Sequence, residues 1–235
     1  MSGTLFLIPV ALGPADPDAL HPPATLRTTH LLRHFVVENA KSARAELKRI
    51  GHPQPLQALD VRELPKTPTD ADLSALLAPA LAGQDIGLMS EAGCPAVADP
   101  GALLVRQAHR LGIRVAPLVG PSSLLLSLMA SGLNGQSFAF HGYLPVKEAE
   151  RAAALRELEK ESRRFKRTQL FIETPYRNQA MFAALLAGLS AETQLCVARE
   201  LTTVGEWIAT RSIASWKKSE APDLDRRPTV FLFLA

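Results

Sequence analysis

The sequence predicts a two-domain α/β protein, with a mostly parallel sheet in its N-terminal half and a mixed α+β sheet in its C-terminal half. In the first half, short β-rich runs alternate with helical patterns, which is typical of βαβ units and of a sheet covered on both faces. Past residue 120, strand-like runs follow one another without long helices between all of them. The length of 235 residues is sufficient for two domains. We therefore predict domains at 1–119 and 120–235.

The N-terminal half contains predicted strands at 5–10, 34–38, 85–90 and 113–118. Helices are predicted at 39–50, where Gly51 provides a C-terminal cap, and at 101–111. Thr69 and Asp72 form a capping-box-like pair ahead of leucines at helical spacing: Leu73, Leu76, Leu77 and Leu81. The proline-rich stretches 14–23 and 53–68 are predicted to be connecting loops.

The C-terminal half contains predicted strands at 137–142, 168–173, 194–198, 205–210 and 229–234, and helices at 122–131, 146–164 and 178–189. The stretch 115–140 carries no charge, but prolines and glycines leave an apolar helix far shorter than the roughly 20 residues that span a bilayer. No basic residue precedes the apolar N-terminal stretch, which argues against a signal peptide. We therefore predict no membrane segment.

Composition excludes several classes of protein. With 47% hydrophobic and 21% charged residues the chain is neither disordered nor a coiled coil. Two cysteines cannot form a disulfide framework or a four-thiolate zinc site, and the six histidines lack metal-ligand spacing, so no metal site is predicted. A reducing, cytoplasmic compartment follows. The net charge of +3 points only mildly to anionic partners.

The segment 88–101 is the most informative part of the sequence. A strand leads into a loop of small residues, where Ala92 and Gly93 permit a ligand to approach the backbone and Glu91 is available to its hydroxyls. Ligands of open α/β sheets bind beyond the carboxyl ends of the strands. The alternative is that Asp99 merely caps the next helix and that Glu91 is a solvated loop acid. Neither a dinucleotide fingerprint nor a P-loop occurs.

Three further strand ends carry polar groups. The turn 120–123 begins a helix whose free amides suit a polar ligand, although simple N-capping by Ser122 is an equal alternative. The segments 171–177 and 196–201 bring charged residues, each of which singly is most often a surface ion pair. Together the four strand ends favour a shared ligand cleft.

Residues 163–167 form a basic cluster, Arg-Arg-Phe-Lys-Arg, at the end of a predicted helix whose earlier turns are acidic. This arrangement suits the helix dipole, which favours a solvated structural helix. Contact with RNA phosphates is the alternative.

A series of segments in one order, covering nearly the whole chain, now becomes recognisable: 5–13, 36–44, 90–101, 117–123, 130–133, 141–145, 171–177 and 198–202. Ser-Glu-Ala-Gly-Cys-Pro-Ala-Val-Ala-Asp-Pro-Gly at 90–101 is the most specific of them. Together they resemble the tetrapyrrole methylase superfamily, and within it the bacterial ribosomal RNA small subunit methyltransferase I group, as a short form without the C-terminal extension.

This resemblance implies a methyltransferase that uses S-adenosylmethionine (SAM), held in a cleft between the two domains, and usually a homodimer. It implies ribosomal RNA as the substrate, with a ribose 2′-hydroxyl as the methyl acceptor. The cofactor-binding residues carried over from the resemblance are Leu12, Gly13, Ser90, Glu91, Ala92, Gly93, Cys94, Pro121, Ser122, Ser123, Ile172 and Ala198.

Several positions depart from the pattern of that group. The first loop reads Val-Ala-Leu-Gly-Pro at 10–14 where the group has Thr-Pro-Ile-Gly-Asn, and residues 38–41 read Glu-Asn-Ala-Lys in place of Glu-Asp-Thr-Arg. Glu91 and Cys94 stand where the group has Asp and Thr. These departures bear on the RNA substrate more than on SAM.

A ribose hydroxyl is a poor nucleophile that benefits from a nearby base or cation. Glu38, Lys41 and Arg44 are the candidates for the acceptor side, and the alternative is that they are solvated charges. Two other functions stay open. One is methylation of a tetrapyrrole or another small molecule, although the Gly-x-Gly-x-Gly-Asp first loop of those enzymes is missing. The other is a SAM-binding protein that has lost its acceptor site.

Overall fold

The computed structural model describes residues 2–235. Backbone contacts divide the chain into two compact units, an N-terminal unit that ends at Ser122 and a C-terminal unit that begins at Ser123. The domain limits 1–119 and 120–235 stay a prediction. No helix of the described residues is long and apolar enough to cross a membrane.

The N-terminal unit is a five-stranded parallel sheet with helices on its faces. Its elements are β1 (Thr4–Ile8), α1 (Pro17–Leu20), α2 (Pro23–Leu31), β2 (His34–Val37), α3 (Ala40–Arg49), β3 (Asp60–Glu63), α4 (Asp70–Leu76), α5 (Ala78–Leu81), β4 (Ile86–Met89), α6 (Gly101–Arg110) and β5 (Arg114–Pro117). The strand order is β3-β2-β4-β1-β5, and every pairing is parallel. Two apolar clusters fill the space between this sheet and its helices. The predicted parallel sheet is confirmed.

Local capping explains where its helices begin and end. The Asn39 side chain accepts hydrogen bonds from the N–H groups of Lys41 and Ser42 and so starts α3. The predicted pair of Thr69 and Asp72 forms a complete capping box at the start of α4.

Two predictions for this unit are wrong, because both proline-rich stretches contain regular structure. Pro17 and Pro23 occupy the first turns of α1 and α2, where a missing N–H is tolerated and the fixed φ of proline suits a helix. Strand β3, Asp-Val-Arg-Glu, lies at the sheet edge and pairs with β2. The carboxylate of Asp60 bonds to His34 and Arg62, which stabilises this charged edge strand.

The C-terminal unit has a second five-stranded sheet, of mixed direction as predicted. Its elements are α7 (Ser123–Ser131), β6 (Phe138–Tyr143), α8 (Glu148–Phe165), β7 (Thr168–Ile172), α9 (Asn178–Gly188), β8 (Gln194–Arg199), β9 (Trp207–Ser212), α10 (Ile213–Trp216) and β10 (Thr229–Leu234). The order is β6-β7-β10-β8-β9. Only the β6–β7 pairing is parallel among the described strands of this sheet.

Strand β10 lies at the centre of this sheet and supplies much of its core. Phe231 and Phe233 are fully buried, and the Phe231 ring stacks on Phe171 with centroids 5.7 Å apart. The indole N–H of Trp216 donates to the carbonyl oxygen of Leu195 at 2.9 Å, so this buried polar group is satisfied.

Candidate functional site

Three loops, which follow β1, β4 and β5 and are numbered in that order, meet at the carboxyl edge of the N-terminal sheet, because β4, β1 and β5 are neighbours in the sheet. Val10 and Gly93 exchange two backbone hydrogen bonds of 2.9 Å and form an isolated antiparallel bridge between the first two loops. The Cys94 thiol donates to the carbonyl oxygen of Pro121, 3.5 Å away, in the third loop. The structure thus brings the predicted segments 12–13, 90–94 and 121–122 together.

Two glycines make this close approach possible. Gly93 has φ +71°, and a Cβ there would lie 3.4 Å from Leu12 Cδ2. Gly120 packs so tightly that a Cβ would lie 2.5 Å from the Cβ of Pro9. Any side chain at Gly120 would force the first and third loops apart, and any side chain at Gly93 would occupy a left-handed backbone conformation.

Cys94 holds the loops together rather than acting as a nucleophile. Burial raises the pKa of its thiol, while Ser122 acts in the opposite direction through a hydrogen bond. The thiol is therefore protonated at neutral pH and remains a weak donor. Ser90, 6% exposed at the end of β4, donates its hydroxyl to the carbonyl oxygen of Ala92. Hydrogen bonds thus already orient the polar groups of Ser90 and Cys94 in this loop.

Glu38, one of the three acceptor-side candidates, contacts the loop after β4. Its carboxylate accepts the backbone N–H of Glu91 at 3.1 Å. Burial raises the pKa of Glu38, and the negative charges of Asp99 and Glu91 raise it further, although the Glu91 N–H opposes them. Lys41 and Arg44 lie exposed on α3, with no ion pair among residues 2–235. Of the three candidates, Glu38 is the one that hydrogen-bonds to the loop after β4.

Asp99 has the capping role that the sequence left as an alternative. Its carboxylate accepts the N–H groups of Ala96 and Gly101 at 2.7 to 3.0 Å, at the start of α6. Burial raises its pKa against the effect of these two bonds. Asp99 therefore shapes the turn between the loop after β4 and its helix.

A buried ionic cluster supports the first loop and was not predicted. Glu46 on α3, 8% exposed, pairs with Arg49 at 2.5 Å and accepts the N–H of Ala11 at 3.4 Å. The ring of His21 lies 3.7 Å from the same carboxylate. Burial opposes ionisation of Glu46, yet His21 and Arg49 lower its pKa to about 2.

The sequence contained a signal for this cluster. Glu46 lies between Ala43, Leu47 and Ile50 at helical spacing, so a carboxylate interrupts the apolar face of α3. A buried carboxylate needs a partner, and Arg49 is the nearest cation one turn later. Ala11, whose N–H completes the contact, is distant in sequence and carries no such signal.

The C-terminal unit presents the remaining predicted residues at its own strand ends. Ile172 in β7 and Ala198 in β8 both pair with Val230 of the central strand β10, which places them at one level of the sheet. Ser123 is the first residue of α7. Beyond Ile172, the buried carboxylate of Glu173 pairs with Arg177 at 2.6 Å.

The loop after β8 holds a residue that the sequence analysis missed. Glu200 and Thr202 adopt left-handed conformations, with φ +50° and +68°. The buried hydroxyl oxygen of Thr202 has no hydrogen-bond partner among residues 2–235. A buried hydroxyl without a partner is unusual and is explained by a ligand or an ordered water, and nothing local in the sequence distinguishes Thr202 from its neighbour Thr203.

Methyltransferases are among the solved structures that are similar to this chain. The methyltransferase CobJ superposes with a TM-score of 0.64 at 17% identity, covering 99% of this chain and 94% of that protein. Uroporphyrin-III C-methyltransferase of Thermus thermophilus, complexed with S-adenosylhomocysteine, gives a TM-score of 0.54 at 18% identity, covering 99% of this chain and 97% of that protein. The fold is therefore that of the tetrapyrrole methylase class.

Proteins named ribosomal RNA small subunit methyltransferase I match the sequence itself, while no protein-family model does. The protein of Xylella fastidiosa strain Temecula1 is 32% identical over 99% of this chain and 81% of its own length. The Pseudomonas aeruginosa protein is 30% identical over 94% and 75%. This chain belongs to the ribosomal RNA small subunit methyltransferase I family and is a methyltransferase, which confirms the resemblance and the predicted class of enzyme.

We expect Glu46→Gln to lower the free energy of unfolding by about 2 kcal/mol at pH 7, because it removes a buried charge that His21 and Arg49 stabilise. The folded pKa is depressed, so this stability is fully present above the usual carboxyl pKa of 4.5 and is lost as the pH falls towards 2. Urea unfolding at pH 7, 4 and 3 measures it. Asp18→Asn, at an exposed acid of the same unit, is the control. Equal stability of Glu46→Gln and wild type at pH 7 would contradict the assignment.

We expect Gly93→Ala to lower the free energy of unfolding by about 1–2 kcal/mol, because alanine is strained at φ +71°. Gly120→Ala is destabilising as well, since its Cβ would overlap Pro9. Gly135→Ala, at a position with open space and no positive φ, is the matched control and leaves stability nearly unchanged. Chemical denaturation of the three variants tests these values, and a Gly93→Ala protein as stable as the Gly135→Ala protein would refute the strain argument.

Proposed function

We propose that this methyltransferase uses SAM as its methyl donor and ribosomal RNA as its acceptor, with a ribose 2′-hydroxyl as the modified group. The observation that carries the proposal is the convergence of the loops after β1, β4 and β5 around Gly93, in a chain that matches named ribosomal RNA methyltransferases over 99% of its length. The structure of a protein of the same fold with S-adenosylhomocysteine supports the donor.

The residues at these strand ends fit the chemistry of SAM. Ala92 is small and exposed beside Gly93, and the exposed carboxylate of Glu91 suits a ribose diol or an ammonium group. Ser122 adds a hydroxyl at the third loop, and Thr202 offers an orphaned one in the C-terminal unit. We propose that these groups bind SAM together with the predicted residues: Leu12, Gly13, Ser90, Ala92, Gly93, Cys94, Pro121, Ser123, Ile172 and Ala198.

Bound SAM supplies an electrophilic methyl group, because its sulfonium sulfur is a good leaving group. The contribution of the chain is therefore to bind, to orient and to exclude water. The Val10–Gly93 bridge and the Cys94 contact fix the loops before any ligand arrives, so little conformational freedom is lost on binding.

We propose that Glu38 accepts the proton of the acceptor hydroxyl. One of its carboxylate oxygens is occupied by the Glu91 N–H, and its raised pKa moves it towards the range in which a general base is effective. Lys41 and Arg44, exposed on the following helix, are proposed to contact phosphates of the bound RNA.

Two further properties belong to this proposal. Ribosomal RNA as the substrate supports a cytoplasmic enzyme, and the resemblance to the methyltransferase I group supports a homodimer. The alternatives are a methyltransferase of small molecules or a SAM-binding protein without an acceptor site. The missing glycine-rich first loop argues against the former, and the open carboxylate oxygen of Glu38 argues against the latter.

We expect SAM and S-adenosylhomocysteine to raise the melting temperature by several degrees at ligand concentrations near 100 Kd, where binding stabilises the fold by roughly 2.7 kcal/mol. Glu91→Ala and Ser122→Ala reduce this shift, and Glu220→Ala, which removes an exposed acid elsewhere, preserves it. Differential scanning fluorimetry provides the measurement. An unchanged melting temperature with both ligands near millimolar concentration would overturn the assignment of SAM.

We expect labelled methyl groups to pass from SAM to small-subunit ribosomal RNA prepared from a strain that lacks this protein. Nuclease digestion and chromatography of the labelled nucleotide identify a 2′-O-methyl group. Glu38→Gln retains SAM binding and loses at least tenfold in kcat, in line with the loss of a general base. RNA already methylated in the parent strain is the control. No incorporation into any RNA would favour the small-molecule or binding-only alternatives.

A further inference from the structure

The end of α8 carries a surface that the proposed methyl-transfer site does not use. Residues 163–167, here named the α8 basic patch, contain four cations and one aromatic ring within five positions. The patch directly precedes Thr168, the first residue of β7, whereas Ile172 is the last residue of that strand. A five-residue strand spans roughly 13 Å, so the patch lies at the opposite end of β7 from the proposed cofactor contact.

The aromatic ring of the patch is exposed and flanked by cations. The Phe165 side chain is 49% exposed. The guanidinium carbons of Arg164 and Arg167 lie 4.9 and 5.3 Å from its ring centroid. These are cation–π distances, and they present a planar ring and planar cations on one surface. A second aromatic, Phe138 of β6, is 44% exposed and pairs with Thr168 directly after the patch.

Much of the positive charge is not neutralised within the molecule. Arg167 pairs with Glu161 at 2.6 Å, and Arg163 donates to the Ser190 hydroxyl at 3.3 Å. Arg164 and Lys166 form no ion pair among residues 2–235, although both are exposed. The patch therefore offers at least two cations to an external anion.

Helix termination alone does not explain these residues. A basic last turn suits the helix dipole, but that effect requires neither an exposed Phe165 nor a lysine at position 166. Lys166 caps α8 in the left-handed conformation, at φ +52°, where glycine or asparagine is usual. A lysine at this position is strained relative to glycine, so the positive charge comes with a cost in stability.

We propose that the α8 basic patch is an RNA-docking surface, in which Arg164 and Lys166 contact phosphates and Phe165 stacks on an unpaired base. Unpaired bases stack on aromatic rings and guanidinium planes, and phosphates pair with the neighbouring cations. An acidic peptide would use the charges but leaves the planar ring without a matching group. This inference rests on the proposed RNA substrate and deepens it, since it adds a contact with the RNA outside the residues proposed to bind SAM.

The test compares the charge variant Arg164→Gln/Lys166→Gln with Lys217→Gln/Lys218→Gln, which removes the same charge from exposed lysines after α10. Each protein is titrated with small-subunit ribosomal RNA, from a strain lacking this protein, at several salt concentrations. Loss of two single-strand phosphate contacts reduces the slope of log K against log salt by about 1.4 in the first variant and leaves the second near wild type. Equal slopes for wild type and the first variant, or equal losses in both variants, overturn the proposal.

The ring is tested separately, with Phe165→Leu and Phe165→Tyr. Leucine keeps apolar surface but cannot stack, so we expect about five- to tenfold weaker RNA binding, and tyrosine restores it. In methylation assays KM for RNA rises by a similar factor while kcat is unchanged, because the contact is equal in the ground and transition states. Unaltered melting temperatures with SAM show that the variants are folded.

The outcomes separate the two proposals. If wild type methylates the RNA and the patch variants bind it equally well, the docking surface is wrong and the proposed function stands. If wild type transfers no methyl group to RNA, the proposed function fails, and the salt slopes alone decide the docking surface. A third outcome is that the protein binds polyglutamate but not RNA, and that this binding depends on Arg164. That result assigns the patch to an acidic protein and overturns the proposal.

Discussion

The two backbone hydrogen bonds between Val10 and Gly93 organise the carboxyl edge of the N-terminal sheet. They continue the association of β1 and β4 beyond the parallel ladder, as a single antiparallel contact in which the loop after β4 turns back on the loop after β1. The left-handed conformation of Gly93 produces that turn, and Cys94 then reaches Pro121 in the third loop. The position of every proposed cofactor contact in this unit depends on this arrangement, because the loops contain no regular structure of their own.

Two carboxylates also stabilise the loops after β1 and β4 by accepting backbone hydrogen bonds from them. Glu46 accepts the Ala11 N–H inside the protein, and Glu38 accepts the Glu91 N–H nearer the surface, so one carboxylate from the β2–α3 segment supports each of the loops after β1 and β4. Their environments differ in a useful way. Arg49 and His21 compensate Glu46 and keep it ionised, whereas burial and neighbouring acids raise the pKa of Glu38. One carboxylate is therefore suited to structure and the other to proton transfer.

Patterns within a few residues predicted most of the fold, and contacts between distant residues explain what they missed. The capping box of Thr69 and the strand runs depend on residues that are neighbours in sequence, and the structure confirms both. Such local patterns can be read from the sequence because they need no contact with a distant residue. Strand β3 has a charged sequence and forms only because β2 accepts it at the sheet edge. The Val10–Gly93 bridge joins residues far apart in the chain, and no periodicity reports it. The proposed cofactor residues came from a resemblance, and the structure adds the geometry of these positions in each unit.

The central position of β10 has a consequence for biosynthesis. This strand joins β7 to β8, and its two buried phenylalanines complete the core of the C-terminal unit. During translation, β7 and β8 leave the ribosome well before residues 229–234, and until then their facing edges have no partner. The C-terminal unit must therefore complete its folding late, after the N-terminal sheet is whole, and its unpaired edges are exposed to other chains in the interval. An enzyme proposed to modify ribosomal RNA thus depends, for half of its own structure, on a strand that the ribosome synthesises after both of its neighbours in the sheet.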